Sequence, residues 1–153
     1  MSLIIATGTN LGNKKVNLED AKNELSKIFE FVYESSIYSS PAVDYLNQPD
    51  FYNQLLEFKI PKCITPDQAI LKTLALEEAL GRKRDISKGP RLIDIDIIFW
   101  NNEVIDKKNL IIPHPRWQER SFVVYPLKEL PFFQKVQKRH IIPTKFSNSA
   151  TKI

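Results

Sequence analysis

The segment GRKRDISKGPRLIDIDIIFW, residues 81–100, joins a basic loop to an apolar strand. The strand carries two aspartates, Asp94 and Asp96, one residue apart. Because side chains alternate between the two faces of a strand, both carboxylates share a face, with Cα atoms roughly 6.5–7 Å apart. That spacing lets them bind one divalent cation, or bridge a pair. Together with the adjacent basic loop, this pair of carboxylates indicates a site for a metal ion and a polyphosphate.

The two aspartates also have a structural interpretation. An edge strand can turn its polar face to water, which is common in half-buried sheets. The flanking residues, however, are leucine, isoleucine and phenylalanine, which indicates a largely buried strand. Two like charges on a buried face cost several kcal/mol unless a cation offsets them. Paired carboxylates suit Mg²⁺, so the pattern favours a metal site, although sugar-nucleotide transferases use the same Asp-x-Asp spacing.

Length and composition indicate one ordinary soluble domain. The chain has 153 residues, of which 42% are hydrophobic and 26% are charged, as in globular proteins. No apolar run approaches the roughly 20 residues that span a bilayer, and the first residues lack the basic region of a secretory signal. A single cysteine, Cys63, excludes an internal disulfide and a multi-cysteine zinc site. We therefore expect a cytoplasmic protein, and we expect it to be a monomer.

The net charge of +4 is concentrated in two places. Residues 82–91 contain five Lys or Arg and one Asp, and residues 135–153 contain five Lys or Arg and no acid. A focused patch beside carboxylates fits a small polyanion better than a nucleic acid. The four glycines form neither a GxxxxGK[ST] nor a GxGxxG motif, so side chains and metal must hold any phosphate.

The predicted elements follow the order β-α-β-β-α-β. We place strands at 3–8, 32–38, 51–60 and 92–100, and helices at 15–29 and 65–81. The second helix has a clear start, because Thr65 can cap it and Pro66 suits its first position. This order predicts an α+β fold, a ferredoxin-like split β-α-β sandwich with an antiparallel sheet and helices packed on it. Both helices on one face would leave the other face free for a site.

The sequence predicts one domain over residues 1–131. Beyond Pro131 the apolar residues follow no clear period, so residues 132–153 are expected to form a basic, partly disordered C-terminal tail.

Several other residues have an ordinary explanation beside a functional one. His114 lies between two prolines, which fix its backbone, yet a loop histidine is commonly a surface group. Asn53 is unusual within a strand and could present its amide to a planar ligand. For the others the structural explanation is the commoner one: core packing for Phe51 and Phe122, and a solvated surface for Glu77, Arg116 and Arg120.

Four motifs together resemble one known family. GPRLIDIDIIFW is similar to the GPR-x-x-D-x-D-I signature of 6-hydroxymethyl-7,8-dihydropterin pyrophosphokinases, and IATGTNLGN, QPDFYNQ and PHPRWQERSFVVYPL agree in order and spacing. The resemblance covers roughly residues 3–130. It implies ATP-dependent transfer of a pyrophosphoryl group to the hydroxymethyl of the pterin, releasing AMP, in folate biosynthesis. It also implies two Mg²⁺ ions, with ATP as co-substrate.

The resemblance assigns roles by position. The metal ligands would be Asp94 and Asp96, and with Arg82, Arg84 and Arg91 they would form the catalytic set. The same three arginines and Arg120 would contact the ATP phosphates, with His114 and Glu77 near the nucleotide. The pterin would lie against Ser40, Pro41, Ala42, Val43, Phe51, Asn53 and Phe122. The basic loop 82–90 would be a mobile lid, although Lys88 stands where some members place a tryptophan that closes over the pterin. Leu74 stands where some members have a glutamine near the nucleotide.

Two other functions remain open on the sequence. Small split β-α-β domains often bind RNA, which would require aromatic residues on exposed strand faces, and Asp94 and Asp96 would oppose such binding. A metal-dependent phosphotransferase with another acceptor would use the same carboxylate pair.

Overall fold

The computed structural model describes residues 1–42, 47–81 and 92–153. In that part of the chain, six strands form one antiparallel sheet and two short strands form a separate hairpin. The sheet contains β1 (Ser2–Thr9), β2 (Phe31–Glu34), β3 (Tyr38–Ser40), β4 (Phe51–Lys59), β5 (Asp94–Trp100) and β8 (Thr151–Lys152), and the hairpin contains β6 (Ile105–Lys107) and β7 (Leu110–Ile112). The helices are α1 (Lys14–Leu25), α2 (Pro66–Ala79), α3 (Ser121–Leu127) and α4 (Phe133–Arg139), with a 3₁₀ turn at Trp117–Glu119.

The order of the strands confirms the predicted α+β fold. Along the sheet it is β5-β1-β4-β3-β8, with β2 also paired to β4. Strand β1 lies between β4 and β5 and is antiparallel to both. The strand predicted at 32–38 is divided into β2 and β3 at Ser35, whose hydroxyl accepts the Leu55 N–H at 2.9 Å. A side chain thus replaces a main-chain carbonyl in the ladder, which interrupts the regular pairing.

Helices α1 and α2 cover one face of the sheet, as predicted. Leu3, Ile5 and Ile95 face them and pack in one core cluster with Leu18, Ala21, Leu25 and Ala69. The start of α2 has the expected capping: Thr65 accepts from the Gln68 N–H at 3.2 Å, and the Gln68 side chain accepts from the Thr65 N–H at 2.9 Å. Such caps satisfy donors that a helix end leaves unpaired. No helix among the described residues is long and apolar enough to cross a bilayer.

The opposite face is not free, contrary to the expectation from the sequence. Helices α3 and α4 cover one half of it, burying Ile4, Leu55, Ile98 and Phe99. A register shift in the β1–β5 pairing sets Ile5 opposite Ile97 and Ile4 opposite Phe99. The bulge gives β5 one extra residue there, and both Ile98 and Phe99 join the α3–α4 cluster. Within residues 1–42, 47–81 and 92–153, the half of this face near Gly8 and Asp94 stays open.

Residues 132–153 also differ from the expected partly disordered tail. Phe132 and Val136 are buried in the same core as α3, and the Phe132 N–H donates to the buried carboxylate of Glu57 at 3.1 Å. Further on, strand β8 pairs with β3. Helix α4 has seven residues, about two turns, which is too short to show a helical period in the sequence. The packing therefore continues across residue 131 without a boundary.

Candidate active site

A cavity of about 440 Å³ occupies the open half of the second face, a size typical of small-molecule sites. Strands β1, β4 and β5 form its floor, and the start of α3 forms one side. The structure brings most of the predicted site residues to this cavity: Ser40, Pro41, Phe51, Asn53, Glu77, Asp94, Asp96, His114, Arg120 and Phe122 all line it. Ala42 is buried beside Pro41 and is not part of the lining. Leu74, an exposed residue of α2, also lines it.

The predictions for Val43, and those for Arg82, Arg84, Lys88 and Arg91, lie outside the described residues. The lid predicted at 82–90 lies outside them as well.

Asp94 and Asp96 occupy the cavity floor on strand β5. They pair with Gly8 and Ala6 of β1, respectively, and both are half-buried and line the cavity. Ile95, between them, points to the other face and is buried under the helices. The described residues contain no cluster of three or more His, Cys, Asp or Glu that could hold a metal. Two carboxylates fit Mg²⁺, which keeps several waters and takes its other ligands from substrate phosphates.

Glu77 reaches strand β5 from helix α2 instead of facing solvent. Its side chain is 4% exposed, and Oε2 accepts the Ile95 N–H at 2.6 Å. Ile95 separates the two aspartates, so this hydrogen bond fixes the backbone that carries both carboxylates. A solvated helix face, the ordinary interpretation of Glu77, is therefore wrong.

Replacing Glu77 with alanine should lower the free energy of unfolding by about 1–3 kcal/mol, because the buried Ile95 N–H loses its acceptor. It should also slow catalysis by loosening the Asp94–Asp96 strand. Urea unfolding and a turnover assay measure the two effects. The exposed neighbour Glu78 provides the matched control: Glu78→Ala should change neither. Equal effects of the two substitutions would contradict the positioning role.

Asn53 is fixed by hydrogen bonds to strand β3. Its side chain is 8% exposed, and Nδ2 donates to the Tyr38 carbonyl at 3.1 Å and to Ser40 Oγ at 2.8 Å. Both amide hydrogens are thereby used within the protein. The carbonyl oxygen Oδ1 lies on the side of Gly8, where a Cβ would come within 3.4 Å of it. What Asn53 can offer to a ligand in the cavity is therefore an acceptor.

His114 lies at the cavity edge in its neutral form. Burial first, and then the charges of Arg120 and Arg116, lower its pKa from 6.5 to about 4. Nδ1 accepts the main-chain N–H of Arg116 at 3.2 Å, so the proton of the neutral ring is on Nε2. At neutral pH the ring can therefore donate one hydrogen bond from Nε2, but it adds no positive charge to the site.

The lowered pKa of His114 predicts a pH dependence of stability. Between pH 6.5 and about 4 the unfolded chain binds a proton at this residue and the folded chain does not, so stability falls as the pH is lowered through that window. His114→Gln removes this contribution, and the variant should lose less stability than the wild type over the same range. Thermal unfolding at a series of pH values measures it. Parallel curves for the two proteins would contradict the lowered pKa.

Arg120 and Phe122 form the side of the cavity at the start of α3. The Arg120 guanidinium carbon lies 5.6 Å from the centre of the Phe122 ring, within the range of a cation–π contact. The Arg120 carbonyl accepts the N–H groups of Val123 and Val124 at 3.0 Å each. The helix start thus fixes the backbone from which both side chains project.

Sequence reasoning missed two polar groups that shape this cavity. Asn10 donates from Nδ2 to Gln48 Oε1 at 2.8 Å and to the Pro49 carbonyl at 3.1 Å, which holds the segment before Phe51. Asn148, near the C-terminus, lines the cavity and bonds to the residues on either side of Arg120. Asn10 falls in a motif that supported the resemblance, but no pattern in the sequence connects residue 148 with residue 120.

Comparisons with known proteins identify the family of this chain. A family model described as 7,8-dihydro-6-hydroxymethylpterin-pyrophosphokinase (HPPK) matches residues 4–131. The 2-amino-4-hydroxy-6-hydroxymethyldihydropteridine pyrophosphokinase of Bacillus subtilis is 38% identical over 136 residues, which cover 88% of this chain and 79% of that protein. The protein of the same name from Aquifex aeolicus is 36% identical over 129 residues, covering 84% of this chain and 79% of its own length.

A longer relative matches only in part. The folic acid synthesis protein fol1 of Pneumocystis carinii is 38% identical over 130 residues, which cover 84% of this chain and 17% of that protein. The family model and the two bacterial relatives span most of the chain, including the carboxylate strand and both sides of the cavity. The chain therefore belongs to the 7,8-dihydro-6-hydroxymethylpterin-pyrophosphokinase family.

Proposed function

We propose that this protein transfers the pyrophosphoryl group of ATP to the hydroxymethyl oxygen of 6-hydroxymethyl-7,8-dihydropterin, releasing AMP, in folate biosynthesis. The observation that carries the proposal is the placement of Asp94 and Asp96 on the floor of a cavity that also contains Asn53, Phe122 and Arg120. One site then contains carboxylates that can bind a metal, cations that can bind phosphate, and an amide with aromatic rings that can bind a flat ring system. Family membership supports the same reaction.

In the proposed reaction, the pterin hydroxyl oxygen attacks the β-phosphorus of ATP. A new bond forms between that oxygen and the β-phosphorus, and the bond from the β-phosphorus to the α–β bridging oxygen breaks. AMP leaves with the bridging oxygen, and the hydroxyl proton passes to solvent. Two Mg²⁺ ions, when bound, supply charge neutralisation along the triphosphate and polarise the attacking hydroxyl. Asp94 and Asp96 would hold these ions, and no side chain is assigned as general base.

Arg120 and His114 would bind the phosphates on the side facing α3. A guanidinium matches phosphate oxygens with parallel N–H donors, and it stabilises charge that builds up during transfer. His114 would add a neutral hydrogen bond from Nε2. We expect Arg82, Arg84 and Arg91 to contact the phosphates as well.

Asn53 and the two phenylalanines would bind the pterin. A pterin is flat and carries an amino group, whose N–H can donate to Asn53 Oδ1. Phe51 and Phe122 are half-buried and line the cavity, so each can offer a ring surface for stacking. Ser40, which is hydrogen-bonded to Asn53, would keep that acceptor in place.

The proposal is tested by incubating the purified chain with ATP, MgCl₂ and hydroxymethyldihydropterin and following AMP by chromatography. We expect AMP and pyrophosphorylated pterin in equal amounts, with neither formed when the pterin or MgCl₂ is omitted. Melting temperature should rise with the pterin only when Mg²⁺ and a non-hydrolysable ATP analogue are present. Formation of ADP, or AMP release independent of the pterin, would contradict the proposal and point to a phosphotransferase with another acceptor.

The proposal includes the cytoplasm as the location, because the substrates are small molecules found there, and a monomer as the oligomeric state. Sedimentation velocity of the purified chain tests the monomer, and a dimer would contradict it. Microscopy of a fluorescent fusion tests the location.

A further inference from the structure

The C-terminal segment 147–153 contacts the side of the cavity at the start of α3. Asn148 Oδ1 accepts from the Ser121 N–H at 2.8 Å and from Ser121 Oγ–H at 2.6 Å. Asn148 Nδ2 donates to the Glu119 carbonyl at 2.8 Å. Glu119 and Ser121 are the neighbours of Arg120 in the chain, so one side chain fixes the backbone immediately before and immediately after Arg120.

The same segment also reaches the opposite side of the cavity. Strand β8 pairs with β3, with Tyr38 opposite Lys152 and Ser39 opposite Thr151. The Ile153 N–H donates to the Ile37 carbonyl at 2.9 Å. Strand β3 ends at Ser40, which lines the cavity and holds Asn53. Residues 147–153 therefore connect the strand beside Asn53 with the backbone of Arg120.

Burial makes the Asn148 contacts difficult to replace. Ser121 is fully buried, so the loss of Asn148 would leave its N–H and hydroxyl without their acceptor and away from water. Leaving such donors unsatisfied is costly, and a shift of the backbone is the usual response. Any such shift would displace Arg120 and Phe122, because these two residues flank Ser121 in the chain.

We propose that the C-terminal segment 147–153 is part of the substrate site, and that Asn148 is a positioning residue for Arg120 and Phe122. This inference rests on the proposed function, since it assigns the two positioned side chains to phosphate and pterin. The segment lies beyond residues 4–131, the range that the family model matches. It therefore adds a part of the site that family membership does not supply.

The test is a kinetic comparison of Asn148→Ala with the wild-type chain. We expect kcat/KM for the pterin to fall by about 10–100-fold, because displacement of positioning groups by about 1 Å has effects of this order. The loss should appear both as a lower kcat, through Arg120, and as a higher KM for the pterin, through Phe122. Asn148→Asp keeps the acceptor for both Ser121 donors but sets a carboxylate oxygen against the Glu119 carbonyl, so it should recover only part of the activity that Asn148→Ala loses.

Gln118→Ala is the matched control. Gln118 Nε2 donates to the Ile141 carbonyl at 2.9 Å, so this variant also removes a hydrogen bond between the 3₁₀ turn and the C-terminal residues, but not one beside Arg120. Because Gln118 and Ile141 are exposed, it should lower the melting temperature less than Asn148→Ala does, and it should leave kcat and KM at the wild-type values. A purely structural role for Asn148 would instead lower the melting temperature of Asn148→Ala and leave its kcat and KM at the wild-type values.

The outcomes separate this inference from the proposed function. An active wild type with unchanged kinetics in Asn148→Ala would overturn the inference alone. If Asn148→Ala does not fold, Asn148→Asp decides: a lower kcat together with a higher KM for the pterin supports the inference, and wild-type values of both overturn it. A wild-type chain that releases no AMP would overturn the proposed function and this inference together.

Discussion

Asp96→Asn is expected to reduce AMP release on the order of 10²–10³-fold, the scale seen when one electrostatic contact to a transition state is removed. Asparagine keeps the size of the side chain and one oxygen but loses the negative charge. Asp96 shares a strand face with Asp94 in the cavity. In the variant, the two side chains would bind Mg²⁺ with one negative charge instead of two. Turnover measured over a series of MgCl₂ concentrations should show a higher magnesium requirement as well as a lower maximum.

Stability distinguishes this loss from misfolding. A cooperative thermal transition of Asp96→Asn in the absence of metal shows that the variant is folded. Asp106→Asn is the control, because Asp106 is an exposed aspartate on β6, apart from the cavity. It should leave turnover and magnesium requirement unchanged. Undiminished AMP release by Asp96→Asn would refute the metal assignment.

Arg120→Ala should also lower kcat by about 10²–10³-fold, because in the proposed reaction it removes a cation that binds the migrating phosphate. The variant has a second readout that needs no substrate. Burial is the largest cause of the low pKa of His114, and the Arg120 charge is the next. Without that charge the pKa of His114 should rise from about 4 but stay below 6.5, which an NMR titration of the imidazole signals can follow.

Two further arginine variants separate the effect of the Arg120 charge from that of its guanidinium shape and provide a control outside the cavity. Arg120→Lys keeps the charge, so it should leave the pKa of His114 low while still reducing kcat, because an ammonium lacks the paired donors of a guanidinium. Arg139→Ala removes an exposed cation from α4, outside the cavity, and should change neither quantity. If Arg120→Ala left both kcat and the His114 titration unchanged, Arg120 would have no part in the site.

Local chemistry explains which parts of the fold could be predicted from the sequence. The start of α2 was predictable because Thr65, Pro66 and Gln68 determine a helix end among themselves. The shared face of Asp94 and Asp96 followed from strand alternation alone. The division of the second strand could not be predicted, since it depends on Ser35 replacing a main-chain acceptor for Leu55, a contact made only once the sheet has formed.

Prediction of the site from the sequence has the same limit. The helical pattern predicts a solvated position for Glu77. Such a pattern does not reveal which backbone N–H of a neighbouring strand a carboxylate will bind. Asn148 gave no signal at all, since its partners lie 27 positions or more away in the chain. The resemblance identified residues by their position in motifs, whereas the residues that hold those motifs in place are visible only in three dimensions.

The position of β1 between β4 and β5 has a consequence for how the chain acquires its structure. Leu3 pairs with Phe58 on one side and with Trp100 on the other, so closing the sheet requires two long loops to lose their freedom before the contacts can stabilise them. Such non-local pairing makes folding slower than in helical proteins of similar size. On the ribosome, the apolar run Leu3-Ile4-Ile5 can pair with β4 first, but its other edge stays unpaired until β5 has emerged, a period in which a chaperone can bind it and other nascent chains can aggregate with it. Pairing of β5, the strand that carries Asp94 and Asp96, thus ends the period in which β1 is exposed to aggregation.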